Sequence, residues 1–112
     1  MKLFYFEKNI NFNHLKKITL YLESTQKIIS SKQVSLYELI QGNSPHILNT
    51  AKEFYHNHYK VDIYNDYDIE SLSLNDLENN YNWELKLVKK GSFEICLIEF
   101  EKLDPKHISF SA

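Results

Sequence analysis

The sequence predicts an α+β fold in one domain over residues 1–112, with an N-terminal strand, two to three helices and a C-terminal antiparallel β-hairpin in the same sheet. Two observations concern periodicity: apolar residues recur every three or four positions in the middle of the chain and every second position near its end. A third is that no internal repeat or flexible linker divides the 112 residues, a length typical of one domain.

The first predicted element is a strand at residues 2–7, which is short, aromatic and apolar on both faces, as expected of an interior or well-covered strand. A polar stretch at residues 9–13 follows it. The residues that are then spaced for one helix face are Phe12, Leu15, Ile18, Thr19 and Leu22. We therefore predict a helix here, although Ile18, Leu20 and Leu22 also alternate with their neighbours as they would in a strand.

Two further helices are predicted in the middle of the chain. Ser35 and Glu38 have the spacing of a capping box, which predicts a short helix that ends before Gly42. Ser44 followed by Pro45 predicts a capped start for a second helix over residues 45–59. The positions that form its predicted inner stripe are Ile47, Leu48, Ala51, Phe54, Tyr55 and His58.

Residues 61–85 contain seven acidic residues and no lysine, and we predict that they form an irregular acidic connection. Within this acidic segment, residues 61–64 fit an extended stretch and residues 73–77 fit one capped helical turn.

The last predicted element is a hairpin with Gly91 and Ser92 as the two-residue loop of a type II′ turn. Its register pairs Trp83 with Phe100, Leu85 with Ile98, Leu87 with Cys96 and Lys89 with Glu94. Both faces of the second strand carry apolar residues, which predicts a central strand. Residues 103–112 are predicted to end this strand and to form a partly loose tail.

Composition argues against several classes of function. The chain has two glycines, too few for a glycine-rich phosphate loop, and no apolar run near the roughly 18 residues of a membrane span, so we expect no cofactor and no membrane contact. The first residues lack a signal peptide, and the single Cys96 excludes internal disulfides, which together predict a cytoplasmic protein. All 13 basic residues are lysines, so the arginine forks that usually grip phosphate are missing and direct nucleic-acid binding is not expected.

Candidate catalytic and metal-binding residues have structural explanations. His56 and His58 lie two residues apart, about 200° around a helix, so they cannot bind one metal ion there. Cys96 lies between apolar neighbours in a predicted strand, which favours a buried thiol over a nucleophile. We predict no catalytic and no metal-binding residue.

The acidic segment is the predicted partner-binding surface, because its carboxylates alternate with large rings. Interfaces are enriched in tyrosine and tryptophan anchors, and carboxylates around them would attract a basic partner. The residues assigned to this surface are Asp62, Tyr64, Asp66, Tyr67, Asp68, Glu70, Tyr81 and Trp83. The alternative is a charged loop whose apolar side chains return to the core.

These observations predict a non-enzymatic protein that binds a basic protein partner. In size, acidity and aromatic content the chain resembles the small acidic immunity proteins of bacterial toxin systems, including those paired with contact-dependent growth inhibition toxins. The resemblance implies an inhibitor that neutralises a cognate toxin, for example a nuclease, by occluding its active site. Two alternatives stay open: a small ribonuclease or nucleotide-acting enzyme that uses some of the five histidines, and a phage-type antagonist of a host defence complex.

Overall fold

A computed structural model describes residues 3–13, 16–24, 26–75 and 81–111, which form a six-stranded sheet and three helices. The predicted α+β class is confirmed. The elements in chain order are β1 (Phe4–Phe12), β2 (Lys16–Ser24), α1 (Ser31–Gly42), α2 (Ser44–Tyr59), α3 (Ile63–Asp66), β3 (Tyr67–Asn75), β4 (Asn82–Lys89), β5 (Ile95–Glu101) and β6 (Asp104–Ser111). Among these residues, no helix combines the length and apolarity needed to cross a bilayer.

The strands lie in the sheet in their sequence order, from β1 at one edge to β6 at the other. Neighbouring strands are antiparallel except for β2 and β3, which run parallel. A parallel pair needs a crossover connection, and α1, α2 and α3 provide it between β2 and β3. The helices pack on one face of the sheet, where the ring centroid of Tyr55 lies 6.4 Å from those of Tyr67 and Phe110. We call this the core face and the opposite one the open face.

The first two elements correct the sequence prediction. Strand β1 is an edge strand and not an interior one, because it pairs only with β2. The helix predicted from Phe12 to Leu22 is wrong: this stretch contains the end of β1 and most of β2. Ile18, Leu20 and Leu22 are buried on the core face, so the period of two describes the segment and the helical spacing was coincidental.

Helix α1 is present, but its capping box lies earlier than predicted. The Ser30 hydroxyl accepts from the Gln33 N–H at 3.1 Å, and Gln33 Oε1 accepts from the Ser30 N–H at 3.1 Å. Ser35, the predicted cap, lies inside the helix. The Gln33 side chain is buried, and its Nε2 is satisfied by donating to the Glu23 carbonyl at 3.0 Å. This hydrogen bond joins α1 to the end of β2.

Helix α2 begins and ends close to the predicted bounds. It starts at Ser44 after the cap residue Asn43, with Pro45 in its first turn, and it ends at Tyr59. Ser44 is the first residue of the helix and not its cap, and its hydroxyl donates to Asn13 Oδ1 at 3.3 Å. The buried residues of the predicted stripe are Ile47, Ala51 and Tyr55, whereas His58 is exposed.

The acidic segment is more regular than predicted. The extended stretch predicted at residues 61–64 is wrong for Ile63 and Tyr64, which form the first half of α3 after its cap residue Asp62. Strand β3 follows as an interior strand between β2 and β4. The helical turn predicted at residues 73–77 is wrong for Ser73–Asn75, which belong to β3, and its last two residues lie outside the described part of the chain.

The hairpin of β4 and β5 confirms the predicted register. Trp83 pairs with Phe100, Leu85 with Ile98 and Leu87 with Cys96. Lys89 and Glu94 also face each other, with 3.4 Å between Lys89 Nζ and Glu94 Oε2. The predicted loop is wrong, because the Ser92 N–H donates to the Lys89 carbonyl and the central residues of the turn are Lys90 and Gly91, with a φ of 72° at Gly91.

Strand β5 is interior, as predicted, but residues 104–111 form β6 and not a loose tail. Ile98 pairs with Ile108 and Cys96 with Phe110, so the apolar face of β5 supplies partners that order the last strand.

Candidate acidic groove

The predicted partner-binding residues divide between the surface and the core. Trp83 is 2% exposed, stacks on Phe100 with 4.4 Å between ring centroids, and donates from Nε1 to the Lys102 carbonyl at 2.6 Å. Tyr67 is 6% exposed and packs edge-on against Tyr55. These two rings stabilise the sheet and are closed to a partner.

The other two aromatic residues of the set are held by internal contacts. The Tyr64 hydroxyl donates to the Leu48 carbonyl at 2.7 Å, and burial raises the pKa of this tyrosine. Tyr81 lies partly buried between two lysines, with Lys32 Nζ at 5.0 Å and Lys102 Nζ at 5.2 Å from its ring centroid. Both rings therefore already have partners within the fold.

Two of the predicted carboxylates are neutralised by lysines of the same chain. Asp62 Oδ2 lies 3.3 Å from Lys52 Nζ, and Asp62 Oδ1 accepts from the Tyr64 N–H at 3.0 Å. The backbone hydrogen bond and Lys52 lower the pKa of Asp62. Glu70 Oε1 lies 3.1 Å from Lys86 Nζ. These ion pairs reduce the negative charge that the acidic segment presents to solvent.

Asp66 and Asp68 are exposed. Asp68 and Glu70 border a depression of about 320 Å³ on the open face, which they share with Lys17. This depression therefore has charges of both signs.

The open face carries a second, larger acidic surface, most of whose residues lie outside the predicted set. Directly opposed residues of neighbouring strands point to the same face of a sheet. The strand registers place six such residues in one row across the sheet, from β1 to β6: Glu7, Tyr21, Ser73, Glu84, Glu99 and His107. In the next row, Tyr5 pairs with Glu23 and Asn82 pairs with Glu101.

These rows border a groove of about 870 Å³, which we call the acidic groove. The charged and aromatic residues of the open face that line it are Tyr5, Glu7, Tyr21, Glu23, Glu84, Glu99, Glu101 and Lys106. The lining of the groove therefore contains five carboxylates and one lysine. Of the predicted partner-binding residues, Trp83 is the one that borders the groove, and its ring is buried in the core.

The charges of the acidic groove are poorly compensated within the fold. In the part of the chain that the structure describes, Glu7, Glu84, Glu99 and Glu101 form no ion pair. Glu84 is partly buried, and burial followed by the negative charge of Glu99 raises its pKa. The groove thus holds negative charge at a cost in folding free energy, which a cationic partner would recover.

Tyrosine rings are accessible beside these carboxylates. Tyr5 is 71% exposed and Tyr21 is 41% exposed. The negative charge of Glu23, with which Tyr5 shares a side-chain hydrogen bond, raises the pKa of Tyr5. Exposed rings next to carboxylates are the pattern that the sequence predicted for a binding surface, formed here by other residues.

One signal for these glutamates was present in the sequence. The predicted hairpin register, which pairs Trp83 with Phe100, also places Glu84 opposite Glu99. The hairpin register does not reveal that Glu7 and Glu23 also line the groove. Their place there depends on β1 and β2 lying beside β3 in the sheet, which is a contact between distant parts of the sequence.

The residues considered for catalysis or metal binding do not assemble into a site in the described residues. Both His56 and His58 lie on the exposed surface of α2, and no group of three or more His, Cys, Asp or Glu there could hold a metal ion. Cys96 is fully buried, as predicted, and burial together with Glu94 raises the pKa of its thiol to about 12. Comparison with protein-family models, curated proteins and solved structures finds no match for this chain.

Proposed function

We propose that this chain is a non-enzymatic inhibitor or immunity protein that neutralises a basic bacterial toxin by covering its cationic active site with the acidic groove. One observation carries the proposal: carboxylates without an ion pair in the described structure line a groove beside exposed tyrosines. A toxin that cleaves nucleic acid needs lysines and arginines for phosphate, and such a surface complements the groove in charge.

The proposed binding surface lies on the open face of the sheet and differs from the predicted set, which runs from Asp62 to Trp83. The predicted set is less suited, because Lys52 and Lys86 already pair with Asp62 and Glu70 and its rings have partners in the fold. We further propose that the protein acts in the bacterial cytoplasm, where a lone buried thiol such as Cys96 stays reduced, within a toxin–antitoxin or contact-dependent inhibition system.

Growth protection tests the proposal. The candidate toxin is the product of the gene adjacent to the one for this chain, expressed in bacteria together with wild-type chain or with a variant. We expect the wild type to restore growth and Glu84→Lys or Glu99→Lys to lose protection, because reversing a desolvated interface charge costs on the order of 2 to 5 kcal/mol.

Asp66→Lys is the matched control, since it makes the same charge change on an exposed residue outside the acidic groove. It should protect like the wild type, and thermal unfolding should show that all three variants fold. Loss of protection with Asp66→Lys alone would assign the interface to the predicted carboxylates between Asp62 and Glu70 instead. Turnover of RNA by the isolated chain, abolished by replacing a histidine, would favour the enzyme hypothesis.

A further inference from the structure

On three neighbouring strands the lining of the acidic groove has a short side chain between two longer ones, an arrangement that we call the depression. Tyr21 of β2, Ser73 of β3 and Glu84 of β4 are directly opposed and point to the same face. Strands lie about 4.8 Å apart, so the Tyr21 and Glu84 backbones are roughly 10 Å apart with the short Ser73 side chain between them. Tyr21 and Glu84 thus lie on either side of the short Ser73 side chain, and all three line the groove.

The carboxylate side of this depression is a pair. Glu84 and Glu99 are directly opposed on β4 and β5, a position in which Cβ atoms lie about 4.5–5.5 Å apart and like charges destabilise a sheet. On the far side of Glu99 the facing residue is His107, and Lys106 also borders the groove. Neither Glu84 nor Glu99 forms an ion pair in the described residues, whereas nearby Glu70 is neutralised by Lys86.

An arginine side chain matches this arrangement better than a lysine. The planar guanidinium presents five donors and can bond two carboxylates while its face stacks on an aromatic ring. A lysine ammonium is a compact, strongly hydrated charge that gains less from a flat space beside a ring.

We propose that the acidic groove selects an arginine of the partner, whose guanidinium lies over Ser73 between the Tyr21 ring and the carboxylates of Glu84 and Glu99. This rests on the proposed function, since it specifies which side chain of the basic partner enters the groove. The aliphatic part of the arginine would contact the exposed ring of Tyr21.

Peptide binding to the full chain tests this selection. The probes are two fluorescein-labelled peptides of equal length and charge, one alternating glycine with arginine and the other glycine with lysine, measured by fluorescence anisotropy at low salt. We expect the arginine peptide to bind about two- to fivefold more tightly, the effect of one cation–π contact at an exposed site. Glu84→Gln should weaken both peptides and bring this ratio close to one.

Two uncharged substitutions separate shape from charge. Ser73→Leu fills the depression and Tyr21→Leu removes the ring, so each should abolish the preference for arginine while lysine-peptide affinity changes little. Asp66→Asn, outside the groove, should keep the wild-type ratio. Equal affinity of the two peptides for the wild type, or an unchanged ratio in both Ser73→Leu and Tyr21→Leu, would overturn arginine selection.

The two proposals can fail separately. Growth protection that depends on Glu84 and Glu99, together with equal binding of the two peptides, would leave the inhibitor function standing and remove arginine selection. Arginine preference together with a wild-type chain that does not restore growth would instead overturn the inhibitor function.

Discussion

At the scale of single residues, the availability of a carboxylate depends on its neighbours more than on the local density of acidic residues. Asp62 and Glu70 belong to the most acidic stretch of the sequence, yet each has a lysine within 3.3 Å. Glu84, at the end of the same stretch, and Glu99, beyond it, face one another on neighbouring strands, and neither forms an ion pair in the described residues. Two glutamates directly opposed on neighbouring strands, which the fold tolerates at a cost, distinguish the groove from the rest of the acidic surface.

The free-energy cost of the charged Glu84 side chain predicts that replacing it raises the stability of the fold and weakens binding of the partner. Burial and Glu99 raise the pKa of the Glu84 carboxyl above its ordinary value of 4.5, so the folded state holds its proton more tightly than the unfolded state does. The native state is therefore penalised as pH rises through the folded-state pKa. Glu84→Gln should unfold at a higher temperature than the wild type at pH 7, and it should bind the basic partner more weakly.

Thermal unfolding at pH 4 and pH 7 checks whether Glu84→Gln raises the unfolding temperature. The advantage of Glu84→Gln should be smaller at pH 4, where the wild-type carboxyl is largely protonated, and Asp66→Asn serves as the exposed control. An equal advantage at both pH values, or a less stable variant at pH 7, would contradict the prediction.

At the scale of elements, local signals were sufficient where one pattern was unambiguous. Helix α2 has Pro45 in its first turn and an apolar stripe, and its bounds were predicted to within one residue. The β4–β5 register was predicted because several apolar pairs agree on a single alignment. Strand β2 was assigned wrongly because its sequence fits both periods, and pairing with β1 and β3 decides between them.

The two glycines provide matched substitutions that report on element geometry. Gly42 ends α1, and no atom lies within 4 Å of the position that a Cβ would occupy there, so Gly42→Ala should stabilise the helix by about 0.5 kcal/mol. Gly91 has equally open space but a φ of 72°, so Gly91→Ala should destabilise the hairpin by about 1 kcal/mol.

Urea unfolding of both variants measures these free energies. The opposite signs are the essential result, because neither methyl group meets a neighbour and only the backbone conformation differs. A stabilising Gly91→Ala would show that the turn does not need a left-handed residue.

At the scale of the whole molecule, helices on one face of the sheet leave the other face to solvent. The core face buries the Cys96 thiol and the Tyr67 ring, and burial makes both groups harder to ionise. Burial, with Glu94, raises the pKa of Cys96 from its ordinary value of 9.0 to about 12. Burial, with Glu94 and Tyr55, also raises the pKa of Tyr67 from 10.0 to about 12.

These shifts predict loss of stability in alkali. A raised folded-state pKa favours the native state below the unfolded pKa, and this contribution is lost as pH rises through the window from about 9 to 12. Between pH 8 and pH 11 the free energy of unfolding should fall by on the order of 2 kcal/mol through Cys96 alone.

Urea titrations at the two pH values check this loss, and Cys96→Ala should show a smaller decline despite its lower stability at pH 8. A variant whose decline matches that of the wild type would assign alkaline unfolding to other groups.

Sequence patterns alone were enough to predict the α+β class, the bounds of α2 and the pairing of β4 with β5, because caps, proline and cross-strand pairs act over short distances along the chain. Only the folded chain shows that β1 is an edge strand, that residues 104–111 complete the sheet and that β3 is an interior strand. The fold also decides where negative charge stays uncompensated. Glu7, Glu84 and Glu99 meet in one row only because the α1–α3 crossover brings β3 parallel to β2, and ion pairing depends on such distances in space.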